Sequence, residues 1–182
     1  MKYNNRKFTL KNKEEIIVQM CHGNEAENLI KTVKNYLLDS NYIPLLNEEF
    51  NPSIEQERNW IKSFIENENS LLLIATYNNV IIGNIDLTGN QRKRMKHTAV
   101  IGMGILKEWR NTGLGTILLS EIMNWAKSNC VLEKLYLEVY EENHPAVKIY
   151  KKIGFQIIGK QTAFFKHDEK YFNKLTMEIS VK

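Results

Sequence analysis

The stretch Gly104-Ile105-Leu106-Lys107-Glu108-Trp109-Arg110-Asn111-Thr112-Gly113-Leu114-Gly115-Thr116 holds the residue types and spacing best suited to chemistry. An apolar strand runs into a turn with an arginine and two glycines, and the turn runs into an amphipathic segment. Free amides at a helix start, with the helix dipole behind them, favour a phosphate or pyrophosphate. Glycines let the backbone approach those oxygens without a Cβ in the way. Arg110 adds a positive charge able to fork onto phosphate. Other phosphate motifs fail on spacing. A dinucleotide fingerprint needs a third glycine three residues after Gly115, where Leu118 stands, and no Gly-Lys-Ser/Thr closes a nucleotide P-loop. The plainer alternative is a pair of glycines that only closes a strand-to-helix turn.

A second stretch runs from Leu135 to Phe155. On a strand, Leu135, Leu137 and Val139 share one face and Tyr136, Glu138 and Tyr140 the other. Asn143 sits just before a helix, and Tyr150 lies two turns into it on the apolar side. Glu108, Asp86 and His97 are further candidates for a base, His97 because an imidazole titrates near neutrality. Each has a structural alternative: a core aromatic for Tyr150, a lysine-paired carboxylate for Glu138, a structural hydrogen bond for His97. Cys130 lacks a neighbouring histidine, which disfavours an acyl-enzyme route. The histidines are scattered singly, so no metal site is expected.

These residues must be positioned by the elements around them. Phe8 to Leu10 and Ile16 to Val18 read as a strand pair around Lys11-Asn12-Lys13. Glu25 to Leu38 has helical spacing, and Ser53-Ile54-Glu55-Gln56 is a capping box opening a second helix. Leu71 to Tyr77 and Val80 to Leu87 flank Asn78-Asn79, a two-residue hairpin turn. His97 to Leu106 reads as a strand, Gly113 to Ser128 as a helix, Leu135 to Tyr140 as a strand and Pro145 to Lys152 as a short helix. Strands around Phe155 to Ile158 and Lys174 to Val181 close the chain. Hairpins mixed with strand–helix–strand crossovers imply an α/β fold with a mixed sheet.

Together the two stretches resemble the GNAT superfamily of N-acetyltransferases, which carry an Arg/Gln-x-x-Gly-x-Gly/Ala loop. An Asn-x-x-Ala-x-x-x-Tyr-x-x-x-Gly-Phe segment follows it. Here these are Arg110 to Gly115 and Asn143 to Phe155, and the resemblance is clearest from Leu71 to Met177. It implies a three-layer fold with a mixed central sheet of about seven strands and helices on both faces, in one domain spanning residues 1–182. It implies acetyl-CoA as co-substrate, with its pyrophosphate on the backbone of Arg110, Asn111, Thr112, Gly113, Leu114, Gly115 and Thr116. The pantetheine arm then pairs with Met103, Gly104 and Ile105 where the central strand is splayed from its neighbour, and an amide there serves as oxyanion hole. Asn143 matches a side-chain contact to the cofactor. Tyr150 matches the acid that protonates the departing sulfur, a reasonable role for a phenol. Glu138, five residues before Asn143, matches the base of the ribosomal-protein alanine N-acetyltransferases. The implied activity is direct transfer to a primary amine of a small molecule or peptide. A non-catalytic acyl-CoA-binding or sensing module is the alternative, and a homodimer is common among such proteins.

Composition sets the outer bounds. The chain has 182 residues, 43% hydrophobic and 25% charged, as for an ordinary globular domain. A net charge of +4 is too small to imply nucleic-acid binding. Arg92-Lys93-Arg94-Met95-Lys96 is a basic run without an aromatic platform and reads as a solvated loop. The charged first twenty residues leave no apolar signal core, and no apolar run approaches a membrane span. Two cysteines read as reduced thiols, so a cytoplasmic protein is expected.

Overall fold

The computed structural model describes residues 3–182. One sheet of eight strands forms its centre: β1 (Arg6–Thr9), β2 (Glu15–Met20), β3 (Leu71–Tyr77), β4 (Val80–Gly89), β5 (Thr98–Ile105), β6 (Lys134–Tyr140), β7 (Gln156–His167) and β8 (Lys170–Ser180). The spatial order is β1-β2-β3-β4-β5-β6-β8-β7. All neighbours are antiparallel except β5 and β6, so the sheet is mixed. The crossover between that parallel pair is α3 (Leu114–Ser128), as a parallel connection requires. The strand count exceeds the expected seven by one. β7 runs on to His167, well past the expected end at Ile158, and forms a long hairpin with β8. Its exposed, weakly alternating sequence hid that extension.

Local chemistry fixes the elements where the sequence signalled them. The Asn78-Asn79 turn has φ of 48° and 64°, the doubly left-handed geometry that matches strand twist. Ser53 caps α2 (Ile54–Glu66): its hydroxyl accepts from the Gln56 amide at 3.2 Å, and the Gln56 side chain accepts from the Ser53 amide at 2.7 Å. α1 (Ala26–Leu38) buries Leu29, Val33 and Leu37 on one stripe.

The helices cover opposite faces. Tyr36 of α1 lies directly on Gly104 of β5, where any Cβ would collide with its ring. On the other face, Gly115 of α3 meets Ile105, Met103 and Ile149, the last from α4 (His144–Ile153). The residues of β5 therefore sort by parity, with Gly102 and Gly104 toward α1 and Met103 and Ile105 toward α3 and α4. Among the described residues, no helix is long and apolar enough to cross a membrane.

The basic run forms a short turn over Lys93–Met95. Asn69, fully buried, donates to the carbonyls of Asn90 and Lys96 at 3.0 and 2.9 Å and so pins both ends of that loop.

Candidate active site

The sheet opens between β5 and β6. These strands pair only at Thr98 with Lys134, Ala99 with Leu135 and Val100 with Tyr136. Beyond Val100, β5 continues along β4 to Ile105 and β6 continues along β8 to Tyr140, with no pairing between them among the described residues. The Leu106 amide donates to Ile82 of β4 at 3.0 Å. Backbone groups alternate sides along a strand, so Gly104 also turns to β4, while Met103 and Ile105 turn to the opening. Of the three residues expected to pair with an extended ligand, two face it through their backbone. Gly104 instead admits the Tyr36 ring.

The loop after β5 ends at this opening. The amides of Trp109 and Arg110 are taken by the carbonyls of Leu106 and Lys107, and those of Thr116 and Ile117 by Gly113. Between them, the amides of Asn111, Thr112, Gly113, Leu114 and Gly115 have no acceptor among the described residues. Gly113 sits at φ 95°, open to glycine without strain, and Asn111 is left-handed at φ 64°. The Thr112 hydroxyl donates to the Trp109 carbonyl at 2.7 Å and braces the turn. Five consecutive free amides at a helix start suit a pyrophosphate, and the residues present fit such a group.

Two expectations for this loop need correction. Arg110 and Thr116 do not offer their amides, since each closes a turn within the chain. The Arg110 guanidinium does not face the loop as a free charge either. Its Nε donates to the Ile105 carbonyl at 3.0 Å and its Nη1 to the Asp39 carbonyl at 3.1 Å. Arg110 thus ties the end of β5 to the end of α1.

Asn143 is the cap of α4, its side-chain oxygen accepting from the Ala146 amide at 3.3 Å. That leaves its NH2 group for a ligand. Tyr150 is buried, with its ring edge-on to Phe155 at 5.9 Å. Burial pushes its hydroxyl up to about 12, so it stays protonated at neutral pH.

Glu138 points to the α1 face of the opening, where its side chain is 50% exposed. The carboxylate is paired with Lys174 of β8 at 2.7 Å, and that lysine is only 8% exposed. The ammonium also lies 3.8 Å from the centre of the Phe164 ring. The same face carries Asp86, opposite Gly102 in the β4–β5 register. Its Oδ1 would be 2.6 Å from a Cβ at position 102, so the glycine makes room for the carboxylate. Burial pushes Asp86 up to about 6, against the hydroxyl hydrogen bond from Thr88 at 3.1 Å. Beside it the buried side-chain oxygen of Asn84, opposite Gly104, has no partner among the described residues. The other candidate bases are elsewhere. His97 precedes the closed end of the β5–β6 pair, where its carbonyl receives the amides of Glu133 and Lys134. Glu108 is exposed on the turn before the loop.

The α1 face of the opening has a feature that sequence reasoning missed. Tyr140 stacks on Phe165 at 3.7 Å between ring centres, meets Tyr42 edge-on at 5.7 Å, and shares a 2.7 Å hydrogen bond with His167 Nε2. A cavity of about 370 Å³ adjoins this cluster, lined by Leu37, Ile43, Leu46, Glu48, His167 and Asp168. Glu48 lies on this wall. Its neighbour Glu49 accepts the Leu46 amide at 2.8 Å and holds the loop. Tyr140 shares a strand face with Glu138, which was a usable signal, but its partners come from the unanticipated hairpin.

The family model for the acetyltransferase (GNAT) family matches residues 34–155. The chain belongs to this family. Among curated relatives, it is 31% identical over 87 residues to the L-amino acid N-acetyltransferase AaaT of Escherichia coli strain K12, covering 48% of this chain and 54% of that one. The chain spans about half the length of the curated relatives it matches. Its fold is similar to the crystal structure of a GNAT-family acetyltransferase from Streptococcus pneumoniae, with a TM-score of 0.88 and 27% identity over 92% of this chain and 99% of that one. It is also similar in fold to yncA of Salmonella typhimurium, solved with its cofactor acetyl-CoA, with a TM-score of 0.81 and 12% identity over 92% and 94% of the two chains.

Proposed function

We propose that this family member transfers the acetyl group of acetyl-CoA directly to the primary amine of a small molecule or peptide. The observation that carries the reading is that the free amides 111–115 follow directly on the turn that ends the unpaired edge of β5. Two sets of backbone donors, the amide cradle and the strand edge, thereby flank the same opening.

When bound, acetyl-CoA supplies an activated acetyl thioester. The residues of the chain do the rest. Asn111 to Gly115 hold the phosphates, with the Asn143 NH2 group beside the arm, and the amides of Met103 and Ile105 are the donors facing developing oxyanion charge. An ammonium must lose a proton before the nitrogen attacks. Glu138, on the acceptor side, takes that proton, directly or through water, in exchange for part of its pairing with Lys174. As the carbon–sulfur bond breaks, the Tyr150 hydroxyl gives its proton to the sulfur, and free thiol and amide leave. The cavity beside Tyr140, with Glu48, Asp168 and His167 on its wall, suits an amine-bearing acceptor.

The test is amine-dependent release of free thiol from acetyl-CoA, with amino acids, polyamines and short peptides as acceptors. Release with one of these classes at rates above the hydrolysis background is expected. Tight acetyl-CoA binding with no turnover on any amine would favour the non-catalytic acyl-CoA module instead.

A further inference from the structure

The phosphate cradle lacks the cation its motif promised, because Arg110 is bound to the carbonyls of Ile105 and Asp39. The stem of another basic side chain lies against the loop. The turn between β1 and β2 is closed by hydrogen bonds from Leu10 to Glu14 and from Lys13 to Leu10, both 2.9 Å, and it docks on the loop. The Lys11 amide donates to the Thr112 carbonyl at 3.0 Å. The Lys11 side chain then runs alongside Gly113, its Cγ, Cε and Cδ lying 3.7, 3.8 and 4.0 Å from where a Cβ would stand on that glycine. Lys11 is exposed and forms no ion pair among the described residues.

We propose that Lys11 is a phosphate-binding residue of the acetyl-CoA site, delivered to the Asn111–Gly115 amides by the β1–β2 turn. The inference rests on the acetyl-transfer reading and extends it to a segment that lies outside the family's two motifs. Its physical content is simple. Five amide donors satisfy phosphate oxygens but carry only partial charge, and a full positive charge nearby adds attraction for a diphosphate. The backbone tie to Thr112 fixes the base of the side chain, so less entropy is lost when the ammonium engages. A lysine serves here as a point charge on a flexible stem, whereas a guanidinium fork is already spent on carbonyls.

The experiment measures the affinity of the full chain for acetyl-CoA and for S-acetylpantetheine, which has the thioester arm but no diphosphate. Lys11→Met and Lys11→Arg are compared with wild type at low and high salt. Lys11→Met is expected to weaken acetyl-CoA about tenfold, to leave S-acetylpantetheine within twofold, and to flatten the salt dependence. Lys11→Arg restores most of the affinity. Unchanged acetyl-CoA binding in Lys11→Met overturns the proposal. So does an equal loss for both thioesters, which marks a turn that only props up the loop. A wild-type chain that binds neither thioester defeats the acetyl-transfer reading itself, an outcome distinct from either of these.

Discussion

The two sides of the opening between β5 and β6 are built in opposite ways. The phosphate side is backbone: consecutive amides from one short segment, held by a left-handed glycine and local turns. The proposed acceptor side is side chain, assembled from Tyr42, Glu138, Tyr140, Phe165, His167 and Lys174, which come from three separate segments. On the proposed reading, the first binds what every diphosphate shares. The second has shape, aromatic surface and charges that can differ with each acceptor, so one scaffold can keep its donor and change its substrate. The electrostatics divide in the same way. Asp86, buried without a cationic partner among the described residues, and the Glu138–Lys174 pair put full charges on the acceptor side, while the amides of the loop offer partial ones.

The sharpest way to break this comparison is to remove the reacting groups without touching the cradle. Tyr150→Phe is expected to lower kcat about a hundredfold, the usual range for a general acid, with acetyl-CoA affinity within twofold of wild type. Glu138→Gln should lower kcat by about tenfold or more with the same unchanged affinity. If either variant loses cofactor binding in proportion to turnover, the two sides are not separable.

A smaller effect probes the charge stored on the acceptor side. The Asp86 carboxyl is raised from 3.8 to about 6 on folding, so the folded chain binds more protons than the unfolded one between those values. Stability therefore falls as pH rises through that window, and the full cost is present above pH 6. Asp86→Asn should stabilise the chain at pH 7 by about 3 kcal/mol, a rise in Tm of several degrees, and leave it nearly unchanged at pH 3.5. A loss of stability at pH 7 would show that the carboxylate is well paired rather than strained. The Lys11 variants then report on the other side, with an effect confined to ligands that carry phosphate.

The difference between the sides also decides what could be read in advance. Gly113, Asn143 and Tyr150 lie in local patterns of strand, turn and helix, and the structure places them on the elements that the patterns implied. Ser53 and Asn78-Asn79 did the same for the α2 start and the β3–β4 hairpin, because caps and turns depend on a few neighbouring residues. The bound state of the Arg110 side chain was not legible, since it depends on the carbonyl of Asp39, 71 residues away in the chain. The Glu138–Lys174 pair and the Tyr140 cluster depend on strand register across β6 and β8 and on the extension of β7, whose mostly exposed residues alternate only weakly. Lys11 was legible only as part of a polar turn, because nothing in its neighbours reports that the turn docks on Thr112.

The central claim is that the free amides of residues 111–115 receive the phosphates of acetyl-CoA. Amide proton and nitrogen shifts of the 15N-labelled chain, followed through a titration with acetyl-CoA, test it most directly. The account predicts saturable downfield movement of the Asn111 to Gly115 amides with acetyl-CoA and with CoA, and little movement at those positions with S-acetylpantetheine. Binding that leaves those five resonances in place, or that moves them equally without a diphosphate, would contradict it.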